Sequence, residues 1–112
     1  MEIGVDIVEI HRIAKQVGNA SFLKRVFTPQ EVAYCRSRKN SPQHFAVRFA
    51  GKEAVWKAVG EPKLLHRDIQ VRNRSNGKPE VIFPKRFSRF ARRGSISLSH
   101  GRDYAVAMAI FQ

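Results

Sequence analysis

The chain has 112 residues, of which 43% are hydrophobic, and this suits one compact domain over residues 1–112 with a modest core. Its 21 Lys and Arg against 9 Asp and Glu give a formal charge of +12, which predicts a polyanionic partner: nucleic acid, a phosphorylated small molecule or an acidic protein. The single cysteine excludes an intrachain disulfide and a cysteine-based zinc site. The acidic N-terminus is unlike a signal peptide and no apolar run reaches membrane-spanning length, so we expect a cytoplasmic protein without a membrane partner.

The chain begins with a pattern typical of a strand. Ile3, Val5 and Ile7 alternate, which predicts a half-buried strand with these residues on its core face and Asp6 on the opposite face. The residues that follow take up helical spacing and leave Arg12 on the exposed side. We therefore expect a strand carrying one acidic residue, followed by a helix with a basic outer face.

Two further helices are predicted in the first half of the chain. Thr28-Pro29-Gln30-Glu31 is typical of a helix start, with Thr28 as the N-cap, and this helix is expected to run to about Arg38. Ser41-Pro42 then opens a long segment to Val59, whose end is marked by Gly60. This long helix is apolar on most of its circumference and should be largely buried.

The second half predicts two hairpins. Asn76-Gly77 is a strong turn dipeptide between alternating segments, and Pro79 should stand at the beginning of the returning strand. A second hairpin is expected around residues 101–103. Between the hairpins, residues 85–93 predict a short helix with three residues turned inward: Phe87, Phe90 and Ala91. The fold class is therefore α+β, with an antiparallel sheet packed with one long buried helix and several short helices.

Charged residues on the long helix are the first candidates for chemistry. Glu53 and Lys57 are four residues apart, and an ordinary surface ion pair is one explanation, although the burial of the helix argues against it. A buried carboxylate needs a charged partner or a metal. Asp6 supplies a second oxygen ligand if the first strand lies beside this helix, and two carboxylates with substrate phosphates are typical of a Mg²⁺ site. The spacing alone leaves both explanations open.

Other candidates carry weaker signals. His100 follows two serines at the end of a strand, where a histidine is more often structural than catalytic, and no Gly-x-Ser-x-Gly elbow indicates a hydrolase. The Asn76-Gly77-Lys78-Pro79 segment is first of all a turn. Its exposed amide groups and Lys78 could also bind a phosphate.

Taken together, the segments closely resemble the holo-acyl-carrier-protein synthases, the small bacterial phosphopantetheinyl transferases. The resemblance covers almost the whole chain, and its first and third blocks are specific in combination. The blocks are Gly4-Val5-Asp6-Ile7-Val8-Glu9-Ile10 with Arg12-Ile13; Arg25-Val26-Phe27-Thr28 with Glu31 and Tyr34-Cys35; Phe45-Ala46-Val47-Arg48-Phe49-Ala50-Gly51-Lys52-Glu53-Ala54 with Lys57-Ala58; Asn76-Gly77-Lys78-Pro79; and Ile96-Ser97-Leu98-Ser99-His100 with Tyr104-Ala105.

This resemblance implies a magnesium-dependent transfer of the phosphopantetheine arm from coenzyme A to a serine of an acidic apo acyl-carrier protein, with release of adenosine bisphosphate. It implies that Asp6 and Glu53 hold Mg²⁺ and that Lys57 neutralises charge on the transferred phosphoryl group. Glu53, directly or through a metal-bound water, is the candidate proton acceptor, and the sequence leaves the identity of the base open. Arg12 matches a family contact to the carrier protein.

The resemblance also implies a set of coenzyme A contacts and an assembly. The implied contacts are Arg48, Lys52, Gly77, Lys78, Pro79, Ser99 and His100. Family members commonly form trimers with active sites between subunits, so a homotrimer is expected. One departure is the Glu61–Arg67 connection, where the family often has a more Gly-rich loop, and a second is the short tail after Phe111.

Two rival functions remain to be weighed. A nucleic-acid-binding module is suggested by the net charge and by the aromatic and basic residues that interleave in one segment: Arg86, Phe87, Arg89, Phe90, Arg92 and Arg93. This rival gives Asp6 and Glu53 no role, and the aromatics fall at core-helix spacing. We therefore expect no nucleic-acid partner. A catalytically degenerate relative that only binds carrier domains is disfavoured because every matched catalytic position is present.

Overall fold

The computed structural model describes residues 1–91 and 93–112, and Arg92 lies outside the described residues. In these residues the strands pair antiparallel and combine with short helices and one long helix, which confirms the predicted α+β class. In chain order the elements are β1 (Glu2–Glu9), α1 (Ile10–Gln16), α2 (Ala20–Val26), α3 (Pro29–Arg36), α4 (Ser41–Val59), a 3-10 segment (His66–Asp68), β2 (Gln70–Asn73), β3 (Pro79–Ile82), a second 3-10 segment (Lys85–Phe90), β4 (Gly94–His100) and β5 (Tyr104–Phe111).

A three-stranded sheet with the order β1-β5-β4 forms the centre of the fold, and β2 pairs with β3 in a separate two-stranded sheet. The register aligns Asp6 with Ala107 on the central strand, and Ala107 with Leu98 on the far strand. All three residues therefore lie on one face of the sheet. Helix α4 packs across this face, where the small alanines of β5 let it come close.

Gly4 marks the closest approach of β1 to α4. A Cβ at this position would lie 1.8 Å from the carbonyl oxygen of Ala54, so only glycine fits. Because Gly4, Asp6 and Val8 share this inner face, the predicted orientation of the strand was wrong. Alternation divides a strand into two faces but cannot say which face the helix covers. The alternating apolar residues point outward instead: Ile3, Val5 and Ile7.

The helix boundaries agree closely with the sequence patterns. Thr28 Oγ1 accepts from the Glu31 amide and Glu31 Oε1 accepts from the Thr28 amide, so the predicted capping box forms. Helix α3 ends at Arg36, two residues before the predicted end. Helix α4 ends at Val59 and is capped by Gly60, whose φ of 68° is the left-handed conformation that glycine adopts at low cost. Within the described ranges, no helix is both long and apolar enough to cross a membrane.

The two predicted hairpins are both present. Gly77 has a φ of 87° in the turn between β2 and β3, and Pro79 is the first residue of β3, as expected. The basic segment between β3 and β4 is a 3-10 helix that buries Phe87 and half buries Phe90. The prediction that Ala91 turns inward was wrong, since Ala91 is exposed just after the 3-10 helix ends.

Candidate active site

Asp6 and Lys57 meet where β1 runs alongside α4. Lys57 Nζ donates to Asp6 Oδ1 at 3.2 Å and to the carbonyl oxygen of Val5 at 3.0 Å. The Asp6 side chain is 17% exposed and that of Lys57 is 47% exposed. The carboxylate is therefore held near the protein surface while much of the lysine remains open to a ligand.

Glu53 lies one helical turn before Lys57 and has a different partner. Its Oε1 is 2.9 Å from His66 Nε2, and because a carboxylate can only accept, the histidine donates through its Nε2–H tautomer. Glu53 and Lys57 therefore contact other elements instead of forming an ordinary ion pair with each other. Glu53 contacts the connection before β2, and Lys57 contacts β1. Residues four apart share a side of a helix, so Asp6, Glu53 and Lys57 border the same stretch of surface.

The chemistry of this group suits Mg²⁺. Asp6 and Glu53 offer hard carboxylate oxygens that are partly open to solvent, and Mg²⁺ is typically held by one or two carboxylates with waters and substrate phosphates. Among residues 1–91 and 93–112, no group of three or more His, Cys, Asp or Glu side chains has a metal-binding arrangement. The two predicted ligands are therefore compatible with a site that substrate phosphates complete.

Lys52 does not belong to this surface. Its side chain has no exposed area, and its ammonium donates to Glu31 Oε1 at 2.6 Å and to the carbonyl oxygen of Ile69. Glu31 also accepts from the amide of Val71 at 2.8 Å, so the pair joins α3, α4 and β2. Burial lowers the pKa of Lys52, and the Glu31 carboxylate opposes that shift. We correct the sequence-based assignment accordingly: Lys52 is a structural residue here and is not retained as a coenzyme A contact.

Arg48 lies one turn before Lys52 and is also almost fully buried. Its guanidinium stacks over the ring of Tyr34 at 4.2 Å and donates to Asn73 Oδ1 at 3.3 Å, while Nε has no hydrogen-bond partner within the described residues. It borders a small cavity of about 140 Å³ that Tyr34 and Asn73 also line. Burial lowers the pKa of the neighbouring His44, and the positive charge of Arg48 lowers it further. Arg48 therefore forms part of the floor of this cavity.

The remaining predicted coenzyme A contacts lie near the start of α4 or outside this helix. His100 accepts from Gln43 Nε2 at 2.9 Å, close to the start of α4. Ser99 is exposed on the outer face of the sheet, opposite the face that carries Asp6. Gly77 and Lys78 are exposed in the β2–β3 turn, and Pro79 is half-buried next to it.

The fold of one chain thus divides the predicted site residues into two groups. Asp6, Glu53 and Lys57 lie together, whereas His100 lies at Gln43, which precedes Glu53 by ten residues or about 15 Å of helix rise.

Two residues beside the candidate site were missed by sequence reasoning. Glu31 belongs to the predicted capping box, and its carboxylate also accepts from Lys52, a contact that the sequence did not predict. His66 lies in the Glu61–Arg67 connection and carries no recognisable motif, yet its ring reaches Glu53 across thirteen residues. No local pattern signals either contact, because each depends on how separate elements pack.

Comparison with known proteins identifies the family. Residues 2–109 match the family model described as the 4'-phosphopantetheinyl transferase superfamily. The holo-[acyl-carrier-protein] synthase of Geobacter sp. (strain M21) is 42% identical, over 97% of this chain and 95% of the relative. This chain therefore belongs to the 4'-phosphopantetheinyl transferase superfamily, as the sequence pattern predicted.

Solved structures of the same family share the fold. The holo-[acyl-carrier-protein] synthase from Neisseria meningitidis has a TM-score of 0.88 and 30% identity, covering 99% of this chain and 97% of that one. The Helicobacter pylori holo-[acyl-carrier-protein] synthase, solved in complex with coenzyme A, has a TM-score of 0.85 and 30% identity, with coverage of 98% and 99%. The fold described here is that of the phosphopantetheinyl transferases.

Proposed function

We propose that this protein transfers the phosphopantetheine arm of coenzyme A to a serine of an acidic apo acyl-carrier protein and releases adenosine bisphosphate, with Mg²⁺ as cofactor. The observation that carries the proposal is the grouping of Asp6, Glu53 and Lys57 along β1 and α4, in a member of this family. The coenzyme A complex of the Helicobacter pylori relative supports the choice of substrate.

Asp6 and Glu53 would hold Mg²⁺, which supplies charge neutralisation and orientation for the diphosphate when bound. In the transfer, the carrier serine oxygen forms a bond to the pantetheine-side phosphorus, and the bond from that phosphorus to the oxygen of adenosine bisphosphate breaks. Lys57 has an exposed ammonium beside Asp6 and is proposed to neutralise the transferred phosphoryl group. Glu53 is the candidate acceptor of the serine proton. Phosphoryl transfer needs positioning and charge stabilisation, so no enzyme nucleophile is required.

The other predicted residues are proposed to bind the rest of coenzyme A. The exposed ammonium of Lys78 suits phosphate oxygens, whereas the Gly77 and Lys78 amides already donate to Arg74 O and Asn76 Oδ1. Arg48 with His100 suits the adenosine end. His100 lies near the start of α4, away from Glu53 within one chain, and a second subunit is proposed to complete the pocket. The homotrimer implied by the family resemblance would supply that subunit.

The outer face of the three-stranded sheet is a suitable subunit interface. Soluble monomers rarely expose a contiguous apolar patch of this kind, and here it follows two neighbouring strands. Its members are Ile3, Val5, Ile7, Tyr104, Val106 and Met108, all exposed in the isolated chain. Ser99 lies on the same face, so an assembly through this face would bring a predicted coenzyme A contact to the boundary between subunits.

The carrier protein is proposed to bind at the exposed side of α1. Arg12 is exposed there, on the helix that follows the strand carrying Asp6. A basic side chain at that place complements an acidic carrier and favours rapid encounter. The formal charge of +12 thereby favours the binding of two anionic partners, coenzyme A and the carrier protein.

The two aromatic residues that suggested nucleic-acid binding pack against each other instead of standing free for bases. Phe87 is buried and stacks on Phe90, and Arg86 donates to Asp68 at 2.7 Å. Arg92, one of the basic residues in that segment, lies outside the described residues. Strongly salt-dependent binding of DNA or RNA by a protein that ignores coenzyme A would favour this rival.

The decisive experiment combines the protein with an apo acyl-carrier protein, coenzyme A and Mg²⁺ and measures the mass of the carrier. A gain equal to one phosphopantetheine group is expected, and it should disappear when the carrier serine is replaced by alanine. No gain with any of several carriers, fatty-acid and polyketide types included, would refute the proposed activity. An unchanged rate after chelation with EDTA would refute the Mg²⁺ assignment alone.

A further inference from the structure

His66 is placed against the one carboxylate that is proposed both to hold Mg²⁺ and to accept a proton. Its Nε2 is 2.9 Å from Glu53 Oε1, and the two side chains are 29% and 23% exposed. The contact uses Oε1 and leaves Oε2 for another partner. A hydrogen bond to one oxygen restricts the rotation of a carboxylate and sets the direction of the other oxygen.

The ring of His66 is itself held by two aromatic residues of α4. It stacks on Phe49 with a centroid separation of 6.3 Å and an interplanar angle of 9°, and on Trp56 at 6.1 Å and 21°. Phe49 and Trp56 lie four residues before and three residues after Glu53, so the three share one side of α4. The imidazole therefore lies over the stripe that contains Glu53, with its Nε2–H directed at the carboxylate.

The backbone that carries His66 is also anchored. Asp68 Oδ2 accepts from the Leu65 amide at 3.0 Å, and Asp68 Oδ1 accepts from Arg86 Nη2 at 2.7 Å. Leu64 and Ile69 on either side of this short segment are fully buried.

We propose that His66 is a positioning residue for Glu53: its Nε2–H fixes the orientation of the carboxylate before Mg²⁺ and coenzyme A bind. This inference rests on the proposed function, because it presumes that Glu53 holds the metal. A merely packing role for His66 would depend on the ring, whereas a positioning role depends on the donor. The two roles can be separated because different substitutions keep one property and lose the other.

The test uses two matched variants of the full chain. His66→Phe keeps a ring between Phe49 and Trp56 but removes the donor, and His66→Gln keeps an N–H donor but removes the ring. The readout is the affinity for Mn²⁺, followed by electron paramagnetic resonance in the presence of saturating coenzyme A and without carrier protein. We expect about tenfold weaker Mn²⁺ binding in His66→Phe, as for other residues that orient metal ligands, and recovery of most of the affinity in His66→Gln.

The outcomes separate this inference from the function on which it depends. If His66→Phe binds Mn²⁺ as tightly as the wild type, the positioning role is refuted while the proposed enzyme remains. If His66→Gln binds Mn²⁺ more weakly than His66→Phe does, packing of the ring is the important property and the inference is again refuted. If the wild type binds no Mn²⁺ in the presence of coenzyme A, the metal site of the proposed function fails, and this inference fails with it. Circular dichroism confirms that both variants are folded before they are compared.

Discussion

Lys52 and Glu31 form a fully buried ion pair that joins two helices to the second sheet. Their N–O separation is 2.6 Å, and the exposed fractions of the two side chains are 0% and 1%. Both charges have further backbone partners, the Ile69 carbonyl for Lys52 and the Val71 amide for Glu31. The pair therefore fixes β2 against α3 and α4. Its lysine is the residue of α4 that immediately precedes Glu53.

Removal of one member of this pair should destabilise the whole domain. Lys52→Met is expected to lower the free energy of unfolding by about 3–5 kcal/mol, because it leaves a buried carboxylate without its countercharge. Urea unfolding measures the change. The double variant Lys52→Met, Glu31→Leu serves as the control and should recover part of the loss. A Lys52→Met protein of normal stability with a raised KM for coenzyme A would instead support the original assignment of Lys52 as a substrate contact.

Loss of either proposed metal ligand should abolish turnover without unfolding the protein. Asp6→Asn and Glu53→Gln are each expected to reduce kcat by at least about 100-fold, since each removes a carboxylate ligand of the Mg²⁺ that is proposed to orient the diphosphate. Carrier modification followed by mass spectrometry gives the rate, and thermal unfolding reports the fold. Glu9→Gln, an exposed acid on the same strand, is the matched control and should keep wild-type activity. Normal rates in either ligand variant would exclude that residue from the metal site.

The apolar outer face of the sheet should control the oligomeric state. Val106 lies opposite Ile7 in the register of β5 and β1, and both are exposed in the isolated chain. Val106→Lys introduces a charge that cannot be desolvated in an apolar interface without a partner, so dissociation to monomers and loss of activity are expected. Sedimentation velocity measures the mass. Ala33→Lys, on an exposed position of α3, is the control. A wild-type protein that sediments as a monomer would contradict the proposed assembly.

Arg12 should contribute to recognition of the carrier and not to coenzyme A binding. Arg12→Ala is expected to raise KM for the carrier protein by about tenfold while KM for coenzyme A stays unchanged. Because the interaction is between exposed charges, added salt should weaken the wild type toward the level of the variant. Steady-state kinetics at two salt concentrations measure both effects, with Lys63→Ala as the control. Equal effects on both Michaelis constants would place Arg12 in the coenzyme A site instead.

Cys35 should be unreactive in the native state. Burial raises the pKa of its thiol to about 11, so the thiolate is scarce at pH 8 and the sulfur is covered by the core. Since the unfolded thiol ionises near pH 9.0, the contribution of the neutral thiol to stability should decline as the pH rises from about 9 toward about 11. Iodoacetamide labelling at pH 8, with and without urea, measures the protection. Equal labelling rates would show that the site is open, and Cys35→Ala should lack this part of the pH dependence.

Local patterns predicted most elements of the fold because each depends on neighbouring residues. The Thr28–Glu31 capping box, the Gly60 cap and the Gly77 turn are set by hydrogen bonds and backbone preferences within a few positions, and all three are present. The candidate residues Asp6, Glu53 and Lys57 were found by the same means, together with the family resemblance. The assignment of the core face of β1 was wrong, because an alternating pattern does not say which of the two faces of a strand is buried.

The sequence by itself determined the elements, the family and the acidic and basic residues available for chemistry. Tertiary structure decided which of those charges remain available to a ligand. Lys52 and Lys57 are five residues apart on α4, yet packing buries the first against Glu31 and leaves the second beside Asp6 at the surface. His66 reaches Glu53 only because its connection folds back over α4. Burial and long-range contacts depend on how separate elements pack against one another, and the spacing of nearby residues does not specify that packing.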